Sequence, residues 1–297
     1  MLMHKKYWLV LLVVFFLLPL KGHGAEGGLS FRVEESKVRL IIPPGGSQAG
    51  SIRVYSQSGD KIKISVYFED WSYAKTQDGS KTFHSANSTQ NSCADWISYS
   101  PSEFVLPPYG SQTVNYVTRV PKEATGAHYA VLFFETSFLS QMDDSGVADE
   151  IRAGTSLNVR LGSLFYIEAK GTVSRASELT NFFVTKNDSG DLNISFDFKN
   201  TGNADITATA TYDLINESGL VYARGQFNNV YTFPGDEAKM SGVWKDKVPK
   251  GKYDLIITLD LGKVLEEANL GRGPVIVKEA GIDVGDNGEI LKVGDLK

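Results

Sequence analysis

The chain has a single cysteine, Cys93, among its 297 residues. No disulfide can therefore form within one chain, which excludes the small secreted domains that disulfides hold together. Cys93 also lies far from the N-terminus, so it is not a lipoprotein attachment site. Two interpretations remain open: a half-buried small side chain, or a thiol that pairs with another chain.

The residues of hydrolytic and metal chemistry are scarce as well. Beyond residue 25 the only histidines are His84 and His128, too few with one cysteine for a typical zinc site. No G-x-S-x-G elbow, phosphate-binding loop or dinucleotide glycine motif occurs, and the acids lack calcium-loop spacing. We predict that the protein is not an enzyme and has no metal or cofactor. A carboxylate pair of the glycosidase kind is the enzymatic alternative.

Long apolar runs are absent except at the start, where residues 7–18 read YWLVLLVVFFLL. Lys5 and Lys6 precede this run, and the small residues GHGA end it at 22–25. This order is typical of a secretory signal peptide, and the run is shorter than the roughly 20 residues that span a bilayer. We expect a periplasmic, secreted or cell-surface protein with no membrane span in the mature chain. An uncleaved anchor is the alternative.

Charge of one sign is not concentrated anywhere. Loss of Lys5, Lys6 and Lys21 with the signal peptide leaves 27 basic and 35 acidic side chains, a net charge of −8. The two signs are interspersed along the chain, which disfavours nucleic acid and anionic membranes as partners.

Helical patterns are nearly missing, since only residues 264–269 carry one, whereas alternation of Val, Ile, Tyr, Phe and Thr recurs throughout. Such segments, bounded by Gly, Pro, Asn or Asp, indicate β-strands. In the first half they are 38–42, 51–55, 61–68, 113–120, 129–136 and 157–168; in the second they are 181–186, 192–199, 206–215, 220–227, 239–244, 253–259 and 275–278. Many short strands between turns predict an all-β protein of immunoglobulin-like β-sandwiches.

One order of features occurs twice. Residues 105–135 and 232–260 each run from a turn proline through an alternating strand to Val-Pro-Lys, a glycine, a tyrosine and an apolar strand that ends on an acid. A weaker match lies upstream, between 58–71 and 189–202. Repetition at this length predicts two β-sandwich domains in tandem rather than a short-period solenoid.

The predicted domains are a signal peptide (1–25), a first sandwich (26–172), a second sandwich (173–280) and a polar C-terminal tail or hairpin (281–297). Two long polar stretches, 74–95 and 139–155, interrupt the first sandwich, and loops of this length are usually functional or disordered. Asp70-Trp71 and Asp95-Trp96 flank the first stretch. A tryptophan beside a carboxylate suits sugar stacking, although a sandwich also needs buried tryptophans.

Three features of the first sandwich occur in a characteristic order: a strand that ends at Trp71, a variable loop, and the segments SPSEF (100–104) and LPPYG (106–110), which lead into a strand toward the next proline. In this order the chain resembles the N-terminal domain of periplasmic pilus-assembly chaperones, over roughly residues 31–168. The second sandwich matches only as a generic immunoglobulin-like domain.

The resemblance implies strand addition, in which the last strand of the first domain lends alternating apolar side chains to a pilin subunit whose own sandwich is incomplete. The apolar side chains of this strand are Leu157, Val159, Leu161, Leu164, Phe165 and Ile167. Their alternation slips near Gly162-Ser163, which suggests a β-bulge. We expect Leu157, Val159, Leu161 and Phe165 to contact a protein client. The alternative is a strand that faces the core of its own domain.

The resemblance also implies an anchor for the terminal carboxylate of the client, made by an arginine on the first strand and a lysine on the last. Arg39 matches the arginine, whereas Ser163 occupies the place of the lysine. Arg160 lies nearby on the same strand. Arg39 and Arg160 are therefore the predicted partner-binding cations.

These patterns predict a secreted, non-enzymatic, chaperone-like assembly factor for pilus-type surface fibre subunits that acts by β-strand addition. The alternative is a surface-exposed adhesion module that binds protein or polysaccharide.

Overall fold

The structure, a computed structural model, describes residues 31–137 and 159–297. The predicted signal peptide and the polar stretch 139–155 lie outside the described residues. Almost all regular structure in the described part is β-strand, which confirms the predicted all-β class. No helix in these two ranges is long and apolar enough to cross a membrane.

The first β-sandwich consists of two sheets. One has the strand order β1-β3-β8-β6, and the other has the order β2-β10-β9-β4-β5, with β7 also paired to β4. The strands are β1 (Phe31–Val33), β2 (Lys37–Ile42), β3 (Ser47–Ser56), β4 (Ile62–Tyr73), β5 (Lys81–Ser85), β6 (Ile97–Ser100), β7 (Glu103–Leu106), β8 (Ser111–Arg119), β9 (Ala127–Ser137) and β10 (Arg160–Ala169). The inward side chains of both sheets, with the completely buried Cys93, form one apolar core.

The second sandwich repeats this layout. A sheet with the order β11-β12-β16 packs on a sheet with the order β14-β13-β17-β18-β19, to which β15 adds through β13. The elements are β11 (Ser177–Lys186), β12 (Leu192–Asn200), β13 (Ile206–Asn216), β14 (Val221–Gln226), β15 (Val230–Thr232), β16 (Glu237–Trp244), β17 (Gly251–Asp260), the short helix α1 (Lys263–Glu267), β18 (Val275–Val284) and β19 (Ile290–Val293). Strand β12 alternates buried and half-buried residues along its length, as a strand with one core-facing side should.

The main sequence repeat has a structural counterpart. In each sandwich the repeated segment forms one strand in each sheet: β8 and β9 in the first, β16 and β17 in the second. The weaker upstream match does not, because β4 pairs with β9 whereas β12 pairs with β16. The counterpart of β4 is β13, which pairs with β17. Short segments of alternating apolar and polar residues occur in strands of either sheet. Sequence similarity alone therefore did not show to which sheet each strand belongs.

Three further expectations need correction. The stretch 74–95 is not wholly irregular, since β5 lies within it and a 3₁₀ turn, Ala94–Trp96, begins at its end. The predicted bulge at Gly162-Ser163 is wrong, because β10 pairs with β9 without a register shift from residue 160 to 168. The boundary at residue 280 falls inside β18, whose last residues pair with β19 as a hairpin of the second sandwich.

An aromatic cluster joins the two sandwiches. Trp71, Tyr129 and Tyr166 project from the outer face of the β10-β9-β4 sheet and pack against Phe233 of the second sandwich. Tyr129 and Phe233 stack with ring centroids 4.0 Å apart. The tip of the β4–β5 hairpin also reaches across, where the N–H of Tyr231 donates to a backbone carbonyl of the hairpin at 2.9 Å. The outer face of this sheet is therefore apolar because it packs against the second sandwich, and not because it faces the core of its own domain.

Four buried charges lie beside this cluster. Arg39 on β2 contacts Glu168 on β10 at 2.6 Å and Asp205 of the second sandwich at 2.5 Å. Arg175, which follows β10 in the chain, contacts Glu168 at 2.7 Å. Burial alone would lower the pKa of Arg39, but the charges and hydrogen bonds of Asp205 and Glu168 outweigh it and raise the pKa. Two cations balance two anions across the domain boundary, so each depends on the others.

Replacement of Asp205 by alanine leaves two buried guanidinium groups with one carboxylate. We expect the free energy of unfolding to fall by about 3 kcal/mol or more, because an uncompensated buried charge remains. Asp286 pairs with Lys250 at the surface, so Asp286→Ala is the matched control and should change stability by less than about 0.5 kcal/mol. Chemical denaturation of both variants measures the difference, and equal small losses would contradict the coupling of the domains through these charges.

The division of the chain at residue 172 remains a proposal. Separate fragments 26–172 and 173–297 should each fold, because each contains a complete pair of sheets with its own core. Each should melt below the intact protein, since the separated fragments expose Trp71 or Phe233 to water. Circular dichroism melting of the fragments, alone and mixed, checks this. Fragments that fold only when mixed would show that the proposed division is wrong.

Candidate functional site

The first half of β10 has one open side. Strand β2 runs parallel to β10, but their pairing begins only at Leu164, which lies beside Lys37. Residues 160–163 pair with β9 alone, and no other strand of the described ranges lies beside them. The sheet therefore has a gap in the position that β2 fills further along.

On the open side, some backbone groups of β10 have no ladder partner among the described residues. Odd-numbered residues bond toward β9, as when Val159 accepts a hydrogen bond from the Thr136 N–H at 3.0 Å. Even-numbered residues bond the other way, as when Leu164 donates to the Ser36 carbonyl at 2.9 Å. By this alternation the N–H and C=O groups of Arg160 and Gly162 point into the gap. Such an edge is a template for an added strand.

Most other edges of the described sheets are blunted or short. On β11 the register shifts between Thr180 and Phe183, with Asn181 at a φ of 49°. A bulge of this kind twists an edge away from a partner. Strands β6 and β19 have four residues each. The gap beside β10 is different because β2 closes one end of it, so an added strand would meet a fixed stop.

The predicted donor residues divide between the two faces of β10. Val159 and Leu161 are half-buried and pack against the edge of the core. Arg160 points to the outer face, where its guanidinium lies 4.2 Å from the centroid of the Phe133 ring and pairs with Glu69 at 3.0 Å. Leu157 lies outside the described residues.

Phe165 needs a correction. It was predicted to contact a partner, but it is completely buried in the core of the first sandwich, where it packs against Phe68 and Tyr116. Its side chain holds the two sheets together and is not available to a client. The hydroxyl of Ser163, at the predicted position of an anchoring lysine, is also buried and donates to the carbonyl of Glu35.

Arg39 needs a correction as well. Its side chain is only 3% exposed, and both of its terminal nitrogens contact carboxylates of its own chain. The guanidinium is therefore engaged in the contact between the domains and is not free to hold the carboxylate of a client.

Two lysines occupy the position that an anchor would need. Lys37 begins β2 at the end of the gap, and Lys81 begins β5; both line a cleft of about 210 Å³ between the sandwiches. Neither forms an ion pair with residues 31–137 or 159–297, and Lys81 donates to the Gly79 carbonyl. Burial and the charge of Lys37 lower the pKa of Lys81. Asp205 and Glu267 line the same cleft, but two neighbouring ammonium groups that form no ion pair still favour an anion.

The sequence did not reveal this pair. Lys37 and Lys81 stand on strands far apart in the chain, and each resembles an ordinary surface lysine. They meet because the β4–β5 hairpin folds back over the outer face of the sheet and reaches the second sandwich.

An apolar groove continues from the lysines toward the gap. It has a volume of about 380 Å³ on the outer face of the sheet. Lys37 and Lys81 stand at one end, Leu164 and Gly162 lie along it, and Phe83 forms a wall. We call this space the outer groove. It places apolar surface, a positive end and open backbone groups next to one another.

Of the two interpretations of the Asp70-Trp71 pair, the structure agrees with a buried tryptophan rather than a sugar platform. Trp71 is 1% exposed and belongs to the cluster between the domains. The carboxylate of Asp70 is buried and accepts hydrogen bonds from the N–H and hydroxyl of Thr89 and from the hydroxyl of Ser92. Trp96 packs against His128. Asp70 and Trp71 therefore hold the loop and the domain contact and offer no stacking surface.

No protein-family model matches the sequence, and no curated protein matches it. Among solved structures, the chain is similar to the class 5 fimbriae chaperone CfaA, with 13% sequence identity and a TM-score of 0.49 over 84% of this chain and 98% of that one. It is also similar to the periplasmic chaperone SfaE, with 9% identity and a TM-score of 0.37 over 89% of this chain and 97% of that one. A third similar structure is the pre-assembly complex of CsuC and CsuE from archaic chaperone-usher Csu pili of Acinetobacter baumannii, with 12% identity and a TM-score of 0.39 over 84% and 98%. Structures similar to this chain thus include several chaperones of pilus assembly, the family to which the sequence pattern pointed.

Proposed function

We propose that the protein is a secreted, non-enzymatic, chaperone-like assembly factor that binds an extended segment of a fibre subunit by strand addition. The observation that carries this proposal is the gap beside residues 160–163 of β10, where backbone donors and acceptors face a position that no strand of residues 31–137 or 159–297 fills. An added strand satisfies these groups and gives affinity through its main chain.

The direction of the added strand follows from charge. A strand in the gap lies end to end with β2, whose first residue is Lys37. If it runs parallel to β10, its C-terminus meets Lys37 and Lys81, whereas an antiparallel strand would bring its N-terminal ammonium there. Like charges in such a site repel. The lysine pair therefore favours a parallel strand that ends in a free carboxylate, in the role that the family resemblance had assigned to Arg39.

The faces of β10 define the side chains of such a strand. On the core side Val159 and Leu161 are half-buried, so added apolar side chains there continue the existing core. On the outer side Arg160 and Leu164 border the outer groove. A fibre subunit with an incomplete sandwich offers such a segment. The periplasm or the cell exterior is the compartment that fits the predicted signal peptide.

A site-resolved test uses amide hydrogen exchange by NMR. The probe is a nine-residue peptide of alternating valine and serine with a free C-terminal carboxylate. On binding, the N–H groups of Arg160 and Gly162 should gain protection by at least about tenfold, whereas those of Leu161 and Ser163 already bond to β9 and should change little. The same peptide with N-methyl groups on alternate residues is the control. Equal protection at all four residues, or at none, would contradict strand addition at this edge.

A second test concerns Lys81. Its pKa is lower in the folded chain, so the unfolded chain binds the proton more readily. Stability therefore rises as pH goes up through the lowered pKa, and at neutral pH the charge works against folding. Lys81→Gln should keep or slightly raise the melting temperature. It should weaken binding of the peptide with a free carboxylate about three- to tenfold.

Two controls accompany this variant. Lys75 lies exposed on the same hairpin, so Lys75→Gln should change neither the melting temperature nor the affinity for the peptide. The amidated form of the peptide should bind the wild type and Lys81→Gln equally, because it has no charge for the lysine to hold. If Lys81→Gln binds the carboxylate and amide peptides with the same ratio as the wild type, Lys81 is not part of the anchor.

A further inference from the structure

The short helix α1 belongs to a loop whose two ends meet. We call residues 262–273, which connect β17 to β18, the α1 loop. At its ends the Leu261 N–H donates to the Pro274 carbonyl at 2.9 Å. An ideal Cβ at Gly262 would lie 2.1 Å from the Cα of Gly273, so the two glycine backbones are in direct contact. The α1 loop therefore has a narrow glycine neck, and compact loops of this kind are frequently functional.

Two side chains of the α1 loop reach the cleft between the sandwiches. Val264, which is buried, and Glu267, which is exposed, line the cleft that also contains the lysine pair. Burial raises the pKa of Tyr166 in this cleft, and the nearby charge of Glu267 adds to the effect. The ammonium of Lys37 lies 5.4 Å from the centroid of the same tyrosine ring. Glu267 and Lys37 therefore approach Tyr166 from the two different sandwiches.

Glu267 is the acid of this cleft that is available to the lysines. Asp205 also lines the cleft, but it is completely buried and both of its carboxylate oxygens accept hydrogen bonds from Arg39. Glu267 forms no ion pair within the described ranges, whereas the preceding residue, Glu266, pairs with Lys263 at 3.3 Å. A carboxylate that moves toward the lysine pair gains Coulomb energy and relieves the repulsion between the two ammonium groups.

We infer that Glu267 is an internal competitor for the lysine pair: in the protein without a client its carboxylate pairs with Lys37 or Lys81, and a client carboxylate displaces it. This inference rests on the proposed function, because it assigns a regulator to the same anion site. The structure shows Glu267 near Tyr166 with both lysines unpaired, and the glycine neck is the hinge that lets the α1 loop carry the carboxylate to them. The second sandwich thereby sets how strongly the first one holds an anionic terminus, because a ligand binds only the fraction of molecules whose site is free.

The first measurement needs no client. The NMR shifts of the Cε atoms of Lys37 and Lys81 report the pKa of each ammonium as the pH is raised. Glu267→Gln should lower the pKa of at least one of the two lysines, because the variant removes an anion that stabilises the charged form. Glu266→Gln is the matched control, since Glu266 stands next in the same helix and pairs with Lys263, and it should leave both values unchanged. The same pKa values for the two lysines in the wild type and in Glu267→Gln would overturn the inference.

The second measurement is the affinity for the valine–serine peptide with a free carboxylate. Glu267→Gln should bind it about three- to fivefold more tightly than the wild type, as expected when an exposed ion pair no longer competes. The amidated peptide should bind both proteins equally. On a Lys81→Gln background the gain should shrink, because the two residues act on one interaction. Glu267 is exposed, so its substitution should leave the melting temperature unchanged.

The outcomes separate the inference from the proposed function. If the peptide binds the wild type and Glu267→Gln brings no gain, strand addition stands and the inference is wrong. If Glu266→Gln gives the same gain, the effect is one of net charge and the inference is again wrong. If no peptide binds the wild type or Glu267→Gln, the proposed function fails and the competition fails with it.

Discussion

The parallel pairing of β2 with β10 determines what the rest of the first sandwich can do. The first two described strands belong to different sheets. Strand β1 pairs with β3, and β2 then crosses to the other sheet and joins β10 at Leu164. Had the chain joined β10 earlier, the strand would be closed on both sides. Because it joins late, half of β10 is an interior strand and half is an edge. The same crossing brings Lys37 to the end of that edge and Arg39 to the boundary with the second sandwich.

The domain contact depends on this crossing as well. Arg39 reaches Asp205 only because β2 lies at the side of the sheet that faces the second sandwich. Once Arg39 is held by two carboxylates, it cannot serve an external anion. Lys37 and Lys81 then supply positive charge at the groove, and neither forms an ion pair with a described residue, although Asp205 and Glu267 line the same cleft. A charge pair that repels itself and has no partner works against stability, and sites of this kind are common where a ligand supplies the missing charge.

Much of the fold could be predicted from the sequence because apolar and polar residues alternate with period two wherever one face of a strand is exposed to solvent. Strands β8, β12 and β16 were found for this reason. The alternation was misread in β10, where both faces are apolar: Phe165 faces the core and Leu164 with Tyr166 faces the second sandwich. Two apolar faces remove the period, and the resulting slip was interpreted as a bulge. The apolar residues at the contact between the domains gave a sequence pattern that resembles a change of register.

The site was only partly predictable, for a related reason. The open backbone edge lies in the strand that the sequence singled out, where a long polar stretch precedes an apolar strand. The faces of the individual side chains were not, because the face depends on register. Arg39 was matched by its place in a motif, yet charge compensation by Glu168 and Asp205 depends on residues more than a hundred positions away. Lys81 had no local signal at all.

Gly162 shows how a residue without a side chain can carry information. In the sequence it marked an interruption of a pattern, and interruptions are usually assigned to turns or bulges. In the structure its backbone is regular and its strand pairs without a shift, so the conformational freedom of glycine is not what the position uses. What it uses is the missing Cβ, since Val131 and Phe133 occupy the space that a Cβ would need. Because Gly162 has no side chain, Val131 and Phe133 can lie directly against the backbone of β10 at the place where its edge is open. Close packing of β9 side chains against β10 and an open backbone edge therefore coincide at one residue, and this explains why a glycine interrupts the apolar strand without a turn or a bulge.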